Sequence, residues 1–196
     1  VSRVQAAVEE ELVYPFARGK DVSRWQARPR ISVLLTHRPG MRLKAIPEAV
    51  MAKEYPKTWG YLSRFAPSLR KSGVFRRYFK PADPFYSVFN VGDYTFAKHK
   101  VVLREIATSL TAAVLSVHEG KPCIPDHKLV MVECTSAEEA HFLCAVLNSS
   151  PASLFASSYT IGTQYSTHLF ALLAVPAFST RNSVHMHLAE VSKAAH

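Results

Sequence analysis

Between Tyr55 and Ala82 the chain carries seven Lys or Arg side chains and no acid: Lys57, Arg64, Arg70, Lys71, Arg76, Arg77 and Lys80. Aromatic residues are interleaved with them, at Tyr55, Trp59, Tyr61, Phe65, Phe75, Tyr78 and Phe79. A guanidinium offers paired N–H donors to a phosphate or to the major-groove edge of guanine, and an ammonium adds a mobile point charge. Rings offer stacking surface, although at this density most of them are needed to anchor a core. A second basic stretch, YPFARGKDVSRWQARPR at 14–30, sets five Lys or Arg around a single acid, Asp21. Both stretches point to polyanion binding, against the plainer reading of a solvated basic surface.

No catalytic constellation accompanies them. Asp83-Pro84-Phe85-Tyr86 approaches the acid-Pro-Pro-aromatic pattern with which adenine-amino methyltransferases hold an exocyclic amine. Phe85 stands where the second Pro belongs, and no Gly-rich strand-to-helix turn precedes it, so a turn through Pro84 is the better reading. His185 and His187 lack further metal ligands nearby in sequence. Cys123 and His127 are neighbours in the chain, which is no evidence of a nucleophile pair. Cys123, Cys134 and Cys144 are odd in number and widely spaced among apolar residues. They read as reduced, buried thiols of a cytoplasmic protein rather than a disulfide framework or zinc site. No catalytic, metal or cofactor-binding residue is assigned.

The charge is unevenly spread. The net charge is +9, yet residues 1–104 hold 20 of the 24 basic residues and 8 of the 15 acids, a net of +12. The remaining residues net −3. Apolar content of 48% suffices for a sizeable core. No apolar run is long enough for a membrane span. A start at Val1 in a charged helical pattern reads as a fragment of a longer protein.

The elements that would position these residues are mixed. VQAAVEEELV (4–13) reads as a helix ending near Pro15, and ISVLLTH (31–37) as a strand. Residues 46–73 read as helical pieces interrupted at Pro56, Gly60 and Pro67 and ended by Gly73. Strands are expected at 84–89, 94–97, 100–105, 111–117 and 128–134. Ser136 and Glu139 form a capping box for a helix with Ala140, Leu143, Cys144 and Leu147 on one face. Asn148-Ser149-Ser150-Pro151 stops it, PASLFASSYTI starts another, and a last amphipathic helix begins near His185. The expected fold is α+β, a mixed, mainly antiparallel central sheet with surrounding helices.

Taken in order, these segments resemble a known family. EEELVYPFARGKDVSRW resembles the opening of target-recognition domains of DNA methyltransferases, with their Gly-basic-Asp-aliphatic-x-Arg-aromatic signature at Gly19 to Trp25. PFYSVFNVGDYTFAKHKVV resembles the central strands, EEAHFLCAVLNSSPASLFASSY the late helix ending in Leu-Asn-Ser, and LLAVPAF the closing apolar segment. The family is the TaqI-like C-terminal specificity domain of adenine-N6 methyltransferases and fused restriction–modification enzymes, similar to type I specificity subunits. The resemblance implies residues 1–15 as a linker helix to an upstream catalytic domain and 16–196 as the recognition domain. S-adenosylmethionine would belong to that upstream domain, and the partner here would be double-stranded DNA.

On that expectation Lys20, Arg24, Arg28, Lys57, Arg70 and Lys71 neutralise phosphates, while Arg76, Arg77 and Tyr78 reach into a groove. Asp21 pins its own turn or orients a nearby Arg. The late Leu-Asn-Ser is a helix stop, with phosphate contact as the alternative. Two other classes stay open: an RNA or single-strand binder, and a basic protein-interaction domain.

Overall fold

A computed structural model describes residues 4–107, 109–159 and 172–196. They form two compact units, one of residues up to Tyr14 with Ser32–Phe96, the other of Pro15–Ile31 with the residues from Ala97 on. Strands β1 (Val13–Ala17) and β2 (Ile31–Leu34) are where the chain passes between them.

The first unit is helical. Four short helices follow one another: α1 (Glu48–Glu54), α2 (Pro56–Ser63), α3 (Ala66–Lys71) and α4 (Gly73–Tyr78). Pro56 and Pro67 fall in first turns, where a missing N–H costs nothing. Gly60 lies inside α2 instead of breaking it, and Gly73 begins α4 instead of ending a helix. Ser72 explains the latter, because its Oγ accepts the Phe75 N–H at 3.2 Å. The core gathers Leu12, Ala45, Ile46, Met51, Phe85 and Tyr86. Tyr86 donates its hydroxyl to the Ile46 carbonyl at 2.8 Å, and Thr36 donates to the Tyr86 carbonyl at 2.9 Å.

Three expected elements of this unit are absent. Residues 4–9 have no regular structure, Glu10–Leu12 is a single 3-10 turn, and β1 then begins. The expected helix over 4–13 would have carried Glu9, Glu10 and Glu11 near its negative C-terminal end. The Glu9 carboxylate instead caps α2, accepting the N–H groups of Lys57 (2.8 Å) and Thr58 (2.7 Å). Residues 84–89 are not a strand: Ser87 N–H returns to the Pro84 carbonyl at 3.0 Å, and the successive Phe85 and Tyr86 both enter one core cluster, whereas successive residues of a strand face opposite ways. In place of the strand expected at 94–97, residues 94–96 fall in a 3-10 turn, Asp93–Phe96, closed by Thr95 N–H on the Gly92 carbonyl at 2.9 Å.

The second unit holds the main sheet, in which β3 (His99–Arg104) lies between β4 (Ala112–Leu115) and β8 (Leu129–Cys134), antiparallel to both. A two-strand ribbon pairs β5 (Val117–His118) with β6 (Lys121–Pro122), and β7 (Ile124–Pro125) runs parallel to β1 through Phe16 and Ile124. Because successive residues of β3 face opposite ways, Val101 and Leu103 enter one apolar cluster and Val102 another. Helix α5 (Ala137–Leu147) sends Ala140, Cys144 and Leu147 into the first cluster, with Leu143 packed against it, as its periodicity predicts. Ser136 Oγ caps α5 through Glu139 N–H at 3.1 Å, while Glu139 reaches back to the N–H of Thr135 at 2.6 Å rather than that of Ser136. Helix α6 (Ser150–Tyr159) follows, and the last two residues of its expected segment, 160 and 161, lie outside the described residues. Helix α7 (Ser183–Ala195) packs along α5, where Phe142 meets His185 with ring centroids 4.4 Å apart. The architecture is therefore α+β, as expected. No helix among the described residues is long and apolar enough to cross a membrane.

Two buried polar side chains generate tests. Asn148 is 4% exposed, and its amide makes two bonds to the backbone of one residue, Oδ1 accepting from Ala112 N–H (3.0 Å) and Nδ2 donating to Ala112 C=O (2.9 Å). Asn148→Ala strands a buried donor and should cost about 1–3 kcal/mol in urea unfolding. His37 is buried with neither ring nitrogen hydrogen-bonded among the described residues, and burial draws its pKa down to about 4 from the usual 6.5. As pH falls from 6.5 toward 4 the unfolded chain takes up a proton there that the folded chain refuses. Relative to His37→Leu, the wild type should lose on the order of 3 kcal/mol across that window, read from unfolding curves at each pH.

Candidate nucleic-acid interface

The Gly19–Trp25 signature folds into a rigid turn on the second unit. Gly19–Asp21 is a 3-10 turn in which Asp21 is buried and bonded three times to Arg18: to its N–H (3.0 Å), its Nε (3.0 Å) and its Nη2 (3.4 Å). Burial raises the Asp21 pKa, but the Arg18 bonds and charge outweigh it, so the carboxyl titrates below its ordinary range. Asp21 also accepts the Arg28 N–H at its carbonyl, 2.9 Å. It thus pins its own turn and orients an Arg. Ser23 and Gln26 then exchange backbone bonds of 2.8 and 3.1 Å, leaving Arg24 and Trp25 at the tip of a tight hairpin.

Trp25 takes a left-handed conformation, φ 75°, that a side chain disfavours. Three contacts hold it there. Its N–H donates to the Ala112 carbonyl at 3.0 Å, its ring packs on the main core, and its carbonyl accepts from His196 Nδ1 at 2.6 Å. The turn presents Lys20, Arg24 and Arg28, all exposed, to solvent.

The first unit carries the other basic group. Lys57 lies in the first turn of α2, Arg70 and Lys71 end α3, and Arg76, Arg77 and Tyr78 end α4, where Phe75 is the buried anchor. Lys57, Lys71, Arg76, Arg77 and Tyr78 are exposed. Arg70 is placed differently. Its Nη2 reaches Glu48 Oε1 at 2.9 Å, its Nη1 reaches the Pro81 carbonyl at 2.9 Å, and its guanidinium lies 5.8 and 5.7 Å from the rings of Phe75 and Phe85. Arg77 stands 5.2 Å over the ring of Tyr78, which stacks on Phe89 with centroids 3.8 Å apart. The sequence reading missed Phe89 because it assigned that stretch to a strand.

Charge available to a ligand is smaller than a residue count indicates. Lys100 is completely buried in β3, and burial draws its pKa down to about 8 against the pull of Cys123 and Glu133. Arg18, Arg38 and Arg70 are paired with Asp21, Glu54 and Glu48. Lys20, Arg24, Arg28, Lys57, Lys71, Arg76 and Arg77 are in no ion pair among the described residues.

The alternative chemistries fare differently. All three cysteines are free and buried, and burial pushes Cys123 and Cys134 up to about 12 and Cys144 to about 11, so none is a thiolate at neutral pH. His127 bonds its neighbour Asp126 at 2.6 Å and is exposed. Asn148, of the Leu-Asn-Ser segment, is spent on Ala112 and faces no solvent. In the Asp83-Pro84-Phe85-Tyr86 stretch both rings are core residues, and Asp83 accepts the Lys80 N–H at 2.7 Å.

Comparison with known proteins relates the chain to type II restriction–modification methyltransferases. It is similar to the type II methyltransferase M.NspV of Nostoc sp. (strain ATCC 29411 / PCC 7524), with 27% identity over 153 residues that cover 77% of this chain and 30% of that protein. The chain thus spans less than a third of its relative's length. No family model matches.

The two neighbours at the end of α3 should separate in a stability measurement. Arg70→Ala removes the Glu48 and Pro81 bonds together and should destabilise the first unit by roughly 1 kcal/mol. Lys71→Ala should shift the urea midpoint by an amount equivalent to less than about 0.5 kcal/mol.

Proposed function

We propose that this chain is a DNA target-recognition domain of the TaqI-like kind, serving an adenine-N6 methyltransferase of a restriction–modification system. The observation that carries the reading is the set of seven exposed cations, in no ion pair among the described residues, on a chain similar to a type II methyltransferase. Lys20, Arg24, Arg28, Lys57 and Lys71 neutralise phosphates and set register. Arg76, Arg77 and Tyr78 reach a groove, where an Arg–guanine pair discriminates by about 1–3 kcal/mol. Arg70 serves chiefly to hold the first unit together beneath them.

Methyl transfer belongs, in this proposal, to an S-adenosylmethionine-dependent domain elsewhere in the protein, which receives an adenine extruded from the duplex. The role here is to recognise the site and hold it in register, in the cytoplasm where such DNA is reached. The locked Gly19–Trp25 turn suits that role, because a rigid backbone presents Lys20, Arg24 and Arg28 at low entropic cost.

Binding of duplex DNA by the 196-residue chain across a salt series tests the proposal. Five or six phosphate contacts give a slope of log affinity against log salt of about −5. Arg76→Ala with Arg77→Ala should weaken a cognate duplex more than a random one. Preference for single strands or RNA over duplex, or duplex binding unchanged by removal of both Arg side chains, would overturn it.

A further inference from the structure

Three exposed apolar residues of the first unit that the DNA-contact reading does not use, Leu43, Val88 and Phe89, gather at one cleft beside Tyr78. Leu43, Tyr78, Val88 and Phe89 are 59%, 43%, 40% and 50% exposed, and all four line a single cleft of about 570 Å³. Exposed large side chains gathered at one concavity mark a binding surface more often than chance. Phe89 is half exposed although Tyr78 covers one face of its ring at 3.8 Å, so the opposite face is open.

The charges around the cleft narrow the occupant. Its two acids are engaged: Glu48 by Arg70 at 2.9 Å and Asp83 by the Lys80 N–H at 2.7 Å. Lys44 lines the cleft, is exposed, and forms no ion pair among the described residues. Arg77, 5.2 Å above Tyr78, is likewise without a carboxylate partner. An aliphatic peptide would use the apolar wall but not the cations, and a phosphate alone would leave the rings idle. A flat aromatic group joined to a phosphate uses both. Stacking on a protein ring is tolerant of which base it is, since every base has a π face.

We infer that this cleft receives one unstacked nucleobase of the bound DNA, laid on the open face of Phe89, with a flanking phosphate drawn to Lys44. The inference rests on the DNA-recognition proposal and deepens it. Extruding any base from a duplex leaves its partner unpaired, and a site that stacks an unpaired base lowers the cost of that opening. The first unit then favours distorted duplex over regular duplex, beyond what phosphate contacts give.

The test uses the whole chain with two duplexes of equal length, one fully paired and one carrying a single unpaired 2-aminopurine. Anisotropy should show the second bound roughly tenfold more tightly, with the 2-aminopurine fluorescence quenched on binding. Phe89→Ala with Tyr78→Ala should abolish both the preference and the quenching, while Phe89→Tyr retains them. Both Ala positions are exposed, and matched unfolding curves would verify that the variant is folded. Equal binding of the two duplexes, or a preference that survives the double substitution, would overturn the inference and leave the DNA-recognition proposal standing. Failure to bind either duplex at low salt would instead overturn that proposal, and this inference with it.

Discussion

The second unit depends on the backbone N–H and C=O of one small residue. Ala112 lies opposite Leu103 in the β3–β4 ladder, and its own N–H and C=O face away from β3. An outer strand with such groups exposed is ordinarily a liability. Here the edge is closed by backbone and side chain together. The carbonyl takes the Trp25 N–H and the Asn148 amide, the N–H goes to the other end of the same amide, and the Cys144 thiol adds a weak bond at 3.7 Å. Ala112 is completely buried in the main cluster, so a larger side chain would be driven into Val101, Leu103 and Cys144. Three sequence segments that look unrelated, the basic turn, a strand and a helix stop, are therefore parts of one joint.

That joint explains why motif residues that look chemical are structural. Asn148 in Leu-Asn-Ser has the composition of a polar contact to a ligand, yet it substitutes for a missing neighbour strand. Asp21 is the lone acid in a basic stretch, and it fastens Arg18 rather than meeting a ligand. What both residues accomplish is to fix the backbone from which Lys20, Arg24 and Arg28 project.

The three strands of the main sheet were legible because each is a run of β-branched and aliphatic residues bounded by turn residues, and α5 because Ser136 and its apolar spacing both mark it, whereas the two-residue strands Lys121–Pro122 and Ile124–Pro125 carry no such run and were not expected. The first unit was harder to read, for a physical reason. Its short segments have little preference of their own and take shape from long-range bonds. Glu9 closes α2 from 48 residues away, so the acidic run that suggested a helix acts as a cap for a different one. Phe85 and Tyr86 look like strand residues until both rings are required by the same core, beside Trp59 at 5.7 and 6.4 Å. The basic character was legible, but its availability was not. Composition counts Lys100 and Arg70 equally with Arg76, and only burial and pairing distinguish them. Phe89 escaped notice because nothing local signals that its ring stays outside.

The order of segments along the chain has a consequence for how the molecule is made. The first unit interrupts the second: residues 15–31 belong with strands that begin at His99. On a ribosome the first unit has all its parts once Phe96 has emerged and can close at once. The Gly19–Trp25 turn cannot. Its partners Ala112 and His196 come off progressively later, the second of them 171 positions downstream of Trp25. For much of synthesis the basic turn is thus an unanchored loop, and its left-handed Trp25 acquires the last of its three supports only when His196 arrives. Loop closures of that span are slow, so nascent chains should collect at a stage with one unit finished and the other waiting for its last strand and helices.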